Sequence, residues 1–201
     1  LESYLARVGY FKPIGRRGLN GTDPDVHLMK DALGLSFSLE EMCPVTIEEV
    51  HRSLSDGTYD AVLDRIVEAF ESISNKCDFV VCEGTDYFGA MSAFEFDINA
   101  DVAKTLGIPI VLVANAPQCS MIDEQECREV CEEAVRNIML VKESVDEKRC
   151  ELFGVVLNGV DQDAQDMVKD LTSATLKDHD VRLLGTMPKT DILSKLRIEE
   201  I

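Results

Sequence analysis

Short apolar runs alternate along the chain with longer stretches in which apolar residues recur every three or four positions. The short runs are rich in Val, Leu and Ile, which is typical of strands buried in a sheet. They occupy residues 8–14, 79–82, 108–114, 153–157 and 181–184. The clearest amphipathic helix patterns occupy residues 62–73 and 127–141. This alternation predicts an α/β fold of three layers, in which a mostly parallel sheet is covered by helices on both faces.

Residues typical of helix ends support this pattern. Thr46 and Glu49 have the spacing of a capping box, which predicts a helix that begins after Thr46. Asn99 is a candidate N-cap of a short helix, and Gly107 is a candidate residue for its end.

The length and net charge of the chain limit its number of domains and its kinds of partner. A chain of 201 residues is compatible with one domain, and we expect a single domain over residues 1–201. The 38 acidic and 20 basic residues give a net charge of -18, which repels nucleic acids and anionic membrane surfaces. No apolar run approaches the roughly 20 residues that a membrane-spanning helix needs. We therefore expect neither a nucleic-acid partner nor a membrane partner.

The seven cysteines are an odd number, and several lie within apolar runs where a small hydrophobic residue fits. This usage favours a reducing compartment, either the cytoplasm or an organelle. Cys127 and Cys131 are four residues apart on a predicted helix and could supply half of a metal site. Because no second pair of ligands has suitable spacing, we favour a structural role for both.

Polar residues follow the predicted strands, where parallel sheets collect their functional groups. Lys12 follows the first strand, where its ammonium could neutralise a phosphate or carboxylate, although a solvated loop lysine explains it equally well. Glu83 directly follows residues 79–82, which is a common position for an acid that binds Mg²⁺.

Three further polar residues are candidates, each with an alternative explanation. Asp23 and Asp25 open a helical segment, so each is a candidate metal ligand or a helix cap. Asn158 follows the strand at residues 153–157 and could contact an adenine edge, but on its own it is better explained as the start of a turn with Gly159.

The chain contains neither a G-x-x-x-x-G-K-[ST] loop nor a G-x-G-x-x-G loop. Leu1, Tyr4 and Leu5 have the spacing of a helix tail, which predicts a preceding strand and phosphate loop outside this sequence. We therefore expect the chain to be a fragment of a longer protein. None of the three histidines lies near a nucleophile-elbow pattern, so a hydrolytic triad has no support.

Several sequence blocks together resemble the N-terminal domain of long-form phosphate acetyltransferases. They are VGYFKPIG at residues 8–15, CDFVVCEGTD at 77–86, FEFDIN at 94–99, VVLNGV at 155–160 and LLGTMP at 183–188. The resemblance implies a P-loop NTPase-like fold related to dethiobiotin synthetase. It also implies a regulatory and assembly role, a homo-oligomer and small metabolite effectors. Acetyl transfer between acetyl-CoA and phosphate would then belong to the protein's own C-terminal catalytic domain, which is absent from this chain.

The similarity to dethiobiotin synthetase, an ATP-dependent ligase, suggests roles for individual residues. By motif, Lys12 and Asn158 would contact nucleotide or ligand, while Asp25 and Glu83 would bind Mg²⁺. Both the nucleotide and Mg²⁺ are expected only if the phosphate loop is present upstream. The chain departs from the synthetase at Arg16, which replaces a serine, and at Thr85 and Asp86, which replace small glycines. An ATP-dependent ligase and a plain protein-interaction module therefore remain alternatives to the regulatory domain.

Overall fold

The structure is a computed structural model that describes residues 7–18, 21–85, 92–119 and 124–190. The chain divides into two compact units, residues 1–107 and 108–201. The expectation of a single domain over residues 1–201 stays a prediction. The helix tail predicted for residues 1–5 lies outside the described residues.

The described part of the first unit contains four short strands. They are β1 (Val8–Phe11), β2 (Ile14–Gly15), β3 (Val45–Thr46) and β4 (Phe79–Cys82). β1 pairs with β4 and β2 pairs with β3, both in parallel. The apolar run predicted as one strand is therefore interrupted between β1 and β2. Pro13 lies in that interruption, where its missing N–H costs the sheet no hydrogen bond.

The described part of the first unit also contains five helices, named here in chain order. They are α1 (Pro24–Leu33), α2 (Leu39–Met42), α3 (Ile47–Asp56), α4 (Tyr59–Ser74) and α5 (Ser92–Leu106). Their core is built around Tyr10, Phe11, Met42 and Ile66, which are at most 1% exposed. The Phe11 ring packs against Phe70 of α4 with ring centroids 5.6 Å apart.

The second unit contains a three-stranded parallel sheet in the order β5-β6-β7. Its elements are β5 (Ile110–Asn115), α6 (Glu124–Glu147), β6 (Leu152–Val160), a 3₁₀ turn (Gln162–Ala164), α7 (Gln165–Lys177) and β7 (Leu183–Pro188). Val155 and Leu157 of β6 form its core with Val168 and Leu176 of α7, and all four are fully buried. The predicted α/β class with parallel strands is confirmed.

Two of the predictions about residues at helix ends are confirmed, and one is wrong. Thr46 and Glu49 form the predicted capping box at the start of α3. Gly107 follows α5 with a φ of +65°, a left-handed conformation that glycine adopts easily. Asn99, predicted to be an N-cap, lies inside α5, which begins at Ser92, and its side chain bonds to the backbone of Thr85.

Burial of the strands differs from the expectation in one respect. The runs at β4 and β5 were predicted to be buried on both faces, but their side chains alternate between more exposed and partly buried positions. Phe79 and Val81 are 52% and 45% exposed, and Val111 and Val113 are 46% and 60% exposed. Apolar composition alone does not reveal that only one face of each strand packs on helices. No helix in the described ranges is long and apolar enough to cross a membrane.

Replacing Thr46 by Ala should lower the free energy of unfolding by about 1 kcal/mol, because the first turn of α3 loses its side-chain cap. Glu49 N–H donates to Thr46 Oγ1 at 3.4 Å, and Thr46 N–H donates to Glu49 Oε2 at 2.8 Å. Urea denaturation measures the change. The matched control is Thr58→Ala, at an N-cap of α4 whose side chain makes no capping bond. Equal losses in the two variants would contradict the role given to Thr46.

Candidate functional site

The site in the first unit begins where two parallel strands end side by side. The register of β1 and β4 pairs Phe11 with Cys82, and the Glu83 N–H still donates to the Phe11 carbonyl at 2.9 Å. Lys12 and Glu83 therefore leave the sheet at neighbouring points, as expected for the carboxyl edge of a parallel sheet. The backbone N–H of Lys12 donates to the Met42 carbonyl at 2.8 Å, which fixes the chain as it turns.

Lys12 is the centre of the site. Its side chain is only 5% exposed, and its Nζ lies 2.5 Å from Asp25 Oδ2, 3.1 Å from Glu83 Oε1 and 3.3 Å from Asp23 Oδ1. A buried ammonium is costly unless it is paired and hydrogen-bonded, and here three carboxylates surround it. Lys12 is thus not the solvated loop lysine that the sequence left open as an alternative.

Helix α1 supplies two of these carboxylates. Asp23 is its N-cap, and its Oδ1 accepts from the Asp25 N–H at 3.0 Å while Oδ2 accepts from the Arg16 N–H at 2.7 Å. Of the two roles open for Asp23, the structure places it in the capping geometry. Gly15 lies close by, and a Cβ on it would come within 3.0 Å of Asp23 Cβ, so this approach requires glycine.

Tyr10 completes the group from inside the core. Its hydroxyl donates to Glu83 Oε2 at 2.5 Å, and burial followed by this bond and the Glu83 charge raises its pKa above the ordinary value. Tyr10 was not among the residues predicted from the sequence. The signal was its position two residues before Lys12, because residues i and i+2 of a strand project from the same face.

The charges around Lys12 favour a ligand that is itself a cation or that carries a metal ion. Burial alone would lower the pKa of Lys12, but the hydrogen bond that Lys12 donates to Asp25 and the charge of Glu83 outweigh burial and raise that pKa. With Lys12 charged, its three carboxylate partners leave the group with a net charge of -2. Asp25 and Glu83 are 48% and 36% exposed, so a ligand from solvent can reach them. Carboxylate oxygens with this charge fit a divalent cation such as Mg²⁺.

A side-chain latch holds the turn that follows Glu83. Asn99 Oδ1 accepts from the Thr85 N–H at 2.9 Å, and Asn99 Nδ2 donates to the Thr85 carbonyl at 3.0 Å and to its Oγ1 at 3.1 Å. Gly84 passes so close that a Cβ on it would lie 2.9 Å from Asn99 Oδ1. The latch fixes the direction in which Glu83 leaves β4. Asp86, which the sequence singled out, lies outside the described residues.

Asn158 belongs to the second unit. Asn158 was predicted to follow the strand, but it lies inside β6. The strand continues through Val160, and its pairing with β7 extends to that residue. The exposed Asn158 is paired in register with the exposed Asn115 of β5, and its carbonyl accepts from the Ala116 N–H at 2.8 Å. Asn115 was not predicted as a site residue, although it directly follows an apolar run.

Comparison with known proteins places the chain in a family. The sequence pattern of the AAA domain family matches residues 1–197. The chain belongs to this family. The predicted P-loop NTPase-like fold class agrees with this membership and is confirmed.

Curated relatives of this AAA domain chain fall into two groups. Phosphate acetyltransferases of Synechocystis sp. and Nitratidesulfovibrio vulgaris are 32% and 29% identical over 97% and 77% of the chain. The chain spans about a quarter of the length of these relatives, 26% and 21% respectively. The ATP-dependent dethiobiotin synthetase BioD of Thermodesulfovibrio yellowstonii is 24% identical over 88% of the chain and is matched over 72% of its own length. The predicted resemblance to phosphate acetyltransferases is therefore confirmed.

Replacing Lys12 by Met in this AAA domain should cost about 3–5 kcal/mol of stability at pH 8, because three carboxylates lose their buried cation. Urea denaturation at pH 8 measures the effect. The control is Lys76→Met, which removes an exposed pair with Glu41 and should cost less than about 1 kcal/mol. A loss equal to that of the control would contradict the role given to Lys12.

The stability of the protein should fall as the pH rises above 10.0, partly because folded Tyr10 keeps a proton that unfolded Tyr10 releases. A raised folded pKa contributes stability that is complete below the unfolded pKa and is lost above it. The slope from Tyr10 is about 1.4 kcal/mol per pH unit. Tyr10→Phe should remove that part of the slope, as measured by urea denaturation between pH 9 and 11. Parallel curves for the two proteins would show that the Tyr10 proton is not retained.

Proposed function

We propose that this chain is a regulatory and assembly domain of a phosphate acetyltransferase. Acetyl transfer between acetyl-CoA and phosphate would be carried out by a separate C-terminal domain of the same protein. The observation that carries the proposal is the coverage of the Synechocystis relative, in which 97% of this chain matches only 26% of the relative. The remaining three quarters of such a protein leave room for a catalytic domain of its own.

The cluster formed by Lys12, Asp23, Asp25 and Glu83 is proposed as the effector site. Asp25 and Glu83 would hold Mg²⁺, since both are accessible and offer oxygen ligands. The cation would balance the net charge of -2 and give an anionic metabolite a partner. Lys12, whose ammonium is enclosed by the three carboxylates, would contact a phosphate or carboxylate of that metabolite once Mg²⁺ draws Asp25 and Glu83 away from it. Asp23 stays as the cap of α1, because its two oxygens already accept backbone N–H groups.

A nucleotide complexed with Mg²⁺ is the ligand class that these residues fit best. Its phosphates carry the negative charge that Mg²⁺ and Lys12 attract, and its base offers hydrogen-bonding edges. Asn158, which belongs to the second unit, is proposed separately as a contact for the edge of a base, because its amide has both a donor and an acceptor. Such a domain senses a metabolite and carries no chemical step itself. Homo-oligomerisation through this domain is part of the proposal.

The Glu83→Gln variant of the full-length protein should transfer acetyl groups at the wild-type rate when no effector is present. Its response to MgATP should require at least about tenfold more effector, because one metal ligand loses its charge, a loss of about 1.4 kcal/mol. The measurement is the rate of acetyl phosphate formation across a MgATP titration. The matched control is Glu41→Gln, whose carboxylate pairs with the exposed Lys76 outside the cluster.

Two outcomes of this titration would contradict the proposal. A Glu83→Gln protein with the wild-type MgATP response would favour a plain interaction module. Loss of acetyl transfer in the absence of effector would place Glu83 in the reaction itself. The Glu41→Gln control separates both outcomes from a general effect of removing a surface charge.

The second candidate function is an ATP-dependent ligase of the dethiobiotin or cobyrinate type. The match to BioD over 88% of the chain and 72% of that relative favours it, as does the convergence of Lys12 and Glu83. The native polypeptide would then contain a phosphate loop before Leu1 and little sequence after Ile201. Product formation from a diamino acid, CO₂ and ATP by that polypeptide would replace the regulatory proposal.

A further inference from the structure

Three buried cysteines of the second unit bring their sulfur atoms together. Cys119, Cys127 and Cys131 are 6%, 1% and 2% exposed, and all three Sγ atoms lie within 4.8 Å of one another. Cys119 follows β5, whereas Cys127 and Cys131 are one turn apart on α6. Among the described residues, this is the only group of three potential metal ligands at such close range.

A disulfide explains only part of this arrangement. Cys119 and Cys127 are paired as a disulfide, and the Cys131 thiol lies 4.0 Å from Cys119 Sγ. A disulfide uses two sulfurs and does not require a third beside it. Ordinary apolar packing does not require three sulfurs to converge either, because each cysteine could fill a separate gap in the core.

The surroundings contain a second unexplained polar group. Thr172 of α7 is fully buried, and its hydroxyl has no hydrogen-bond partner of normal geometry. The Thr172 hydroxyl and the Arg128 charge both lie near the Cys131 sulfur. A buried hydroxyl without a partner is costly, and a thiolate beside it would give it an acceptor.

We propose that in the reduced protein Cys119, Cys127 and Cys131 bind one thiophilic metal ion, Zn²⁺ or Cu⁺, as three thiolates. Soft thiolate ligands select these ions. Zn–S bonds of about 2.3 Å hold ligand sulfurs roughly 3.8 Å apart, close to the distance between Cys119 and Cys131. The three thiols release three protons as the metal binds. The disulfide is the oxidised, metal-free state of the same sulfurs.

The ion would join the loop after β5 to the start of α6. No fourth ligand belongs to the group in the described part of the chain, so Zn²⁺ would keep one position for another donor and Cu⁺ would be three-coordinate. Three thiolates with Zn²⁺ leave one negative charge, which Arg128 can partly balance. The spacing on α6 suggested half of such a site, and the loop after β5 supplies the third ligand.

The test uses the whole chain, fully reduced and stripped of metal without oxygen. Titration with Co²⁺ as a probe for Zn²⁺ should produce thiolate-to-cobalt charge-transfer absorption that saturates at one ion per chain. Separate titrations with Zn²⁺ and with Cu⁺, each against a competing chelator, distinguish the two ions. Metal binding should also raise the thermal unfolding midpoint and protect three of the seven cysteines from alkylation.

Variants decide whether these three sulfurs are the ligands. Cys131→Ser should weaken binding about a hundredfold or more, since loss of an outer-shell partner alone costs about 10–100-fold. Cys150→Ser is the matched control, because Cys150 is a cysteine of the same unit that lies outside the group and outside the disulfide. Should Cys131→Ser fail to fold, the alkylation pattern of the wild-type protein identifies the ligands instead.

Three results would overturn the proposal. The first is a reduced wild-type chain that binds neither Zn²⁺ nor Cu⁺ more tightly than the chelators used. The second is equal binding by the folded Cys131→Ser and Cys150→Ser variants. The third is protection of cysteines other than Cys119, Cys127 and Cys131. The first result would leave the Cys119–Cys127 disulfide as the sole role of the group.

Discussion

The burial of one ammonium group organises the first unit. Lys12 lies inside the protein, and the free-energy cost of burying its charge is offset only where Asp23, Asp25 and Glu83 all reach it. Strand pairing brings Glu83 to the lysine, and the cap of α1 brings the two aspartates. The Asn99 latch and the close approach at Gly15 then keep these segments in place. The proposed effector site is therefore a by-product of the way in which a buried charge is satisfied.

Much of this site could be predicted from the sequence because strand ends are visible there. Lys12 and Glu83 each follow an apolar run, and a parallel sheet brings such positions together. Tyr10 and Asn99 could not be found in this way. The bond of Tyr10 spans 73 positions, and Asn99 was mistaken for a helix cap because its true partner lies 14 positions away. Asn158 was placed after its strand because composition does not show how far strand pairing extends.

The same limit explains the cysteines and the exposed strand faces. Helical spacing identifies Cys127 and Cys131 as neighbours, but no periodicity links them to Cys119 in the loop after β5. Val81 and Val113 were expected to be buried, but both are exposed. An apolar run does not show which face of its strand is covered. Local patterns thus predict the elements and the edges at which they end, whereas contacts between distant segments depend on packing that a single sequence does not encode visibly.

The pairing of Lys12 with Glu83 also affects how accurately the chain folds. A slip of β4 by one residue against β1 would turn Glu83 toward the opposite face of the sheet and leave the ammonium without that partner. An incompletely paired buried charge costs about 3–5 kcal/mol, so the slipped register would be rare at equilibrium. The charged cluster therefore favours the correct register of β1 and β4, and it does so without any ligand.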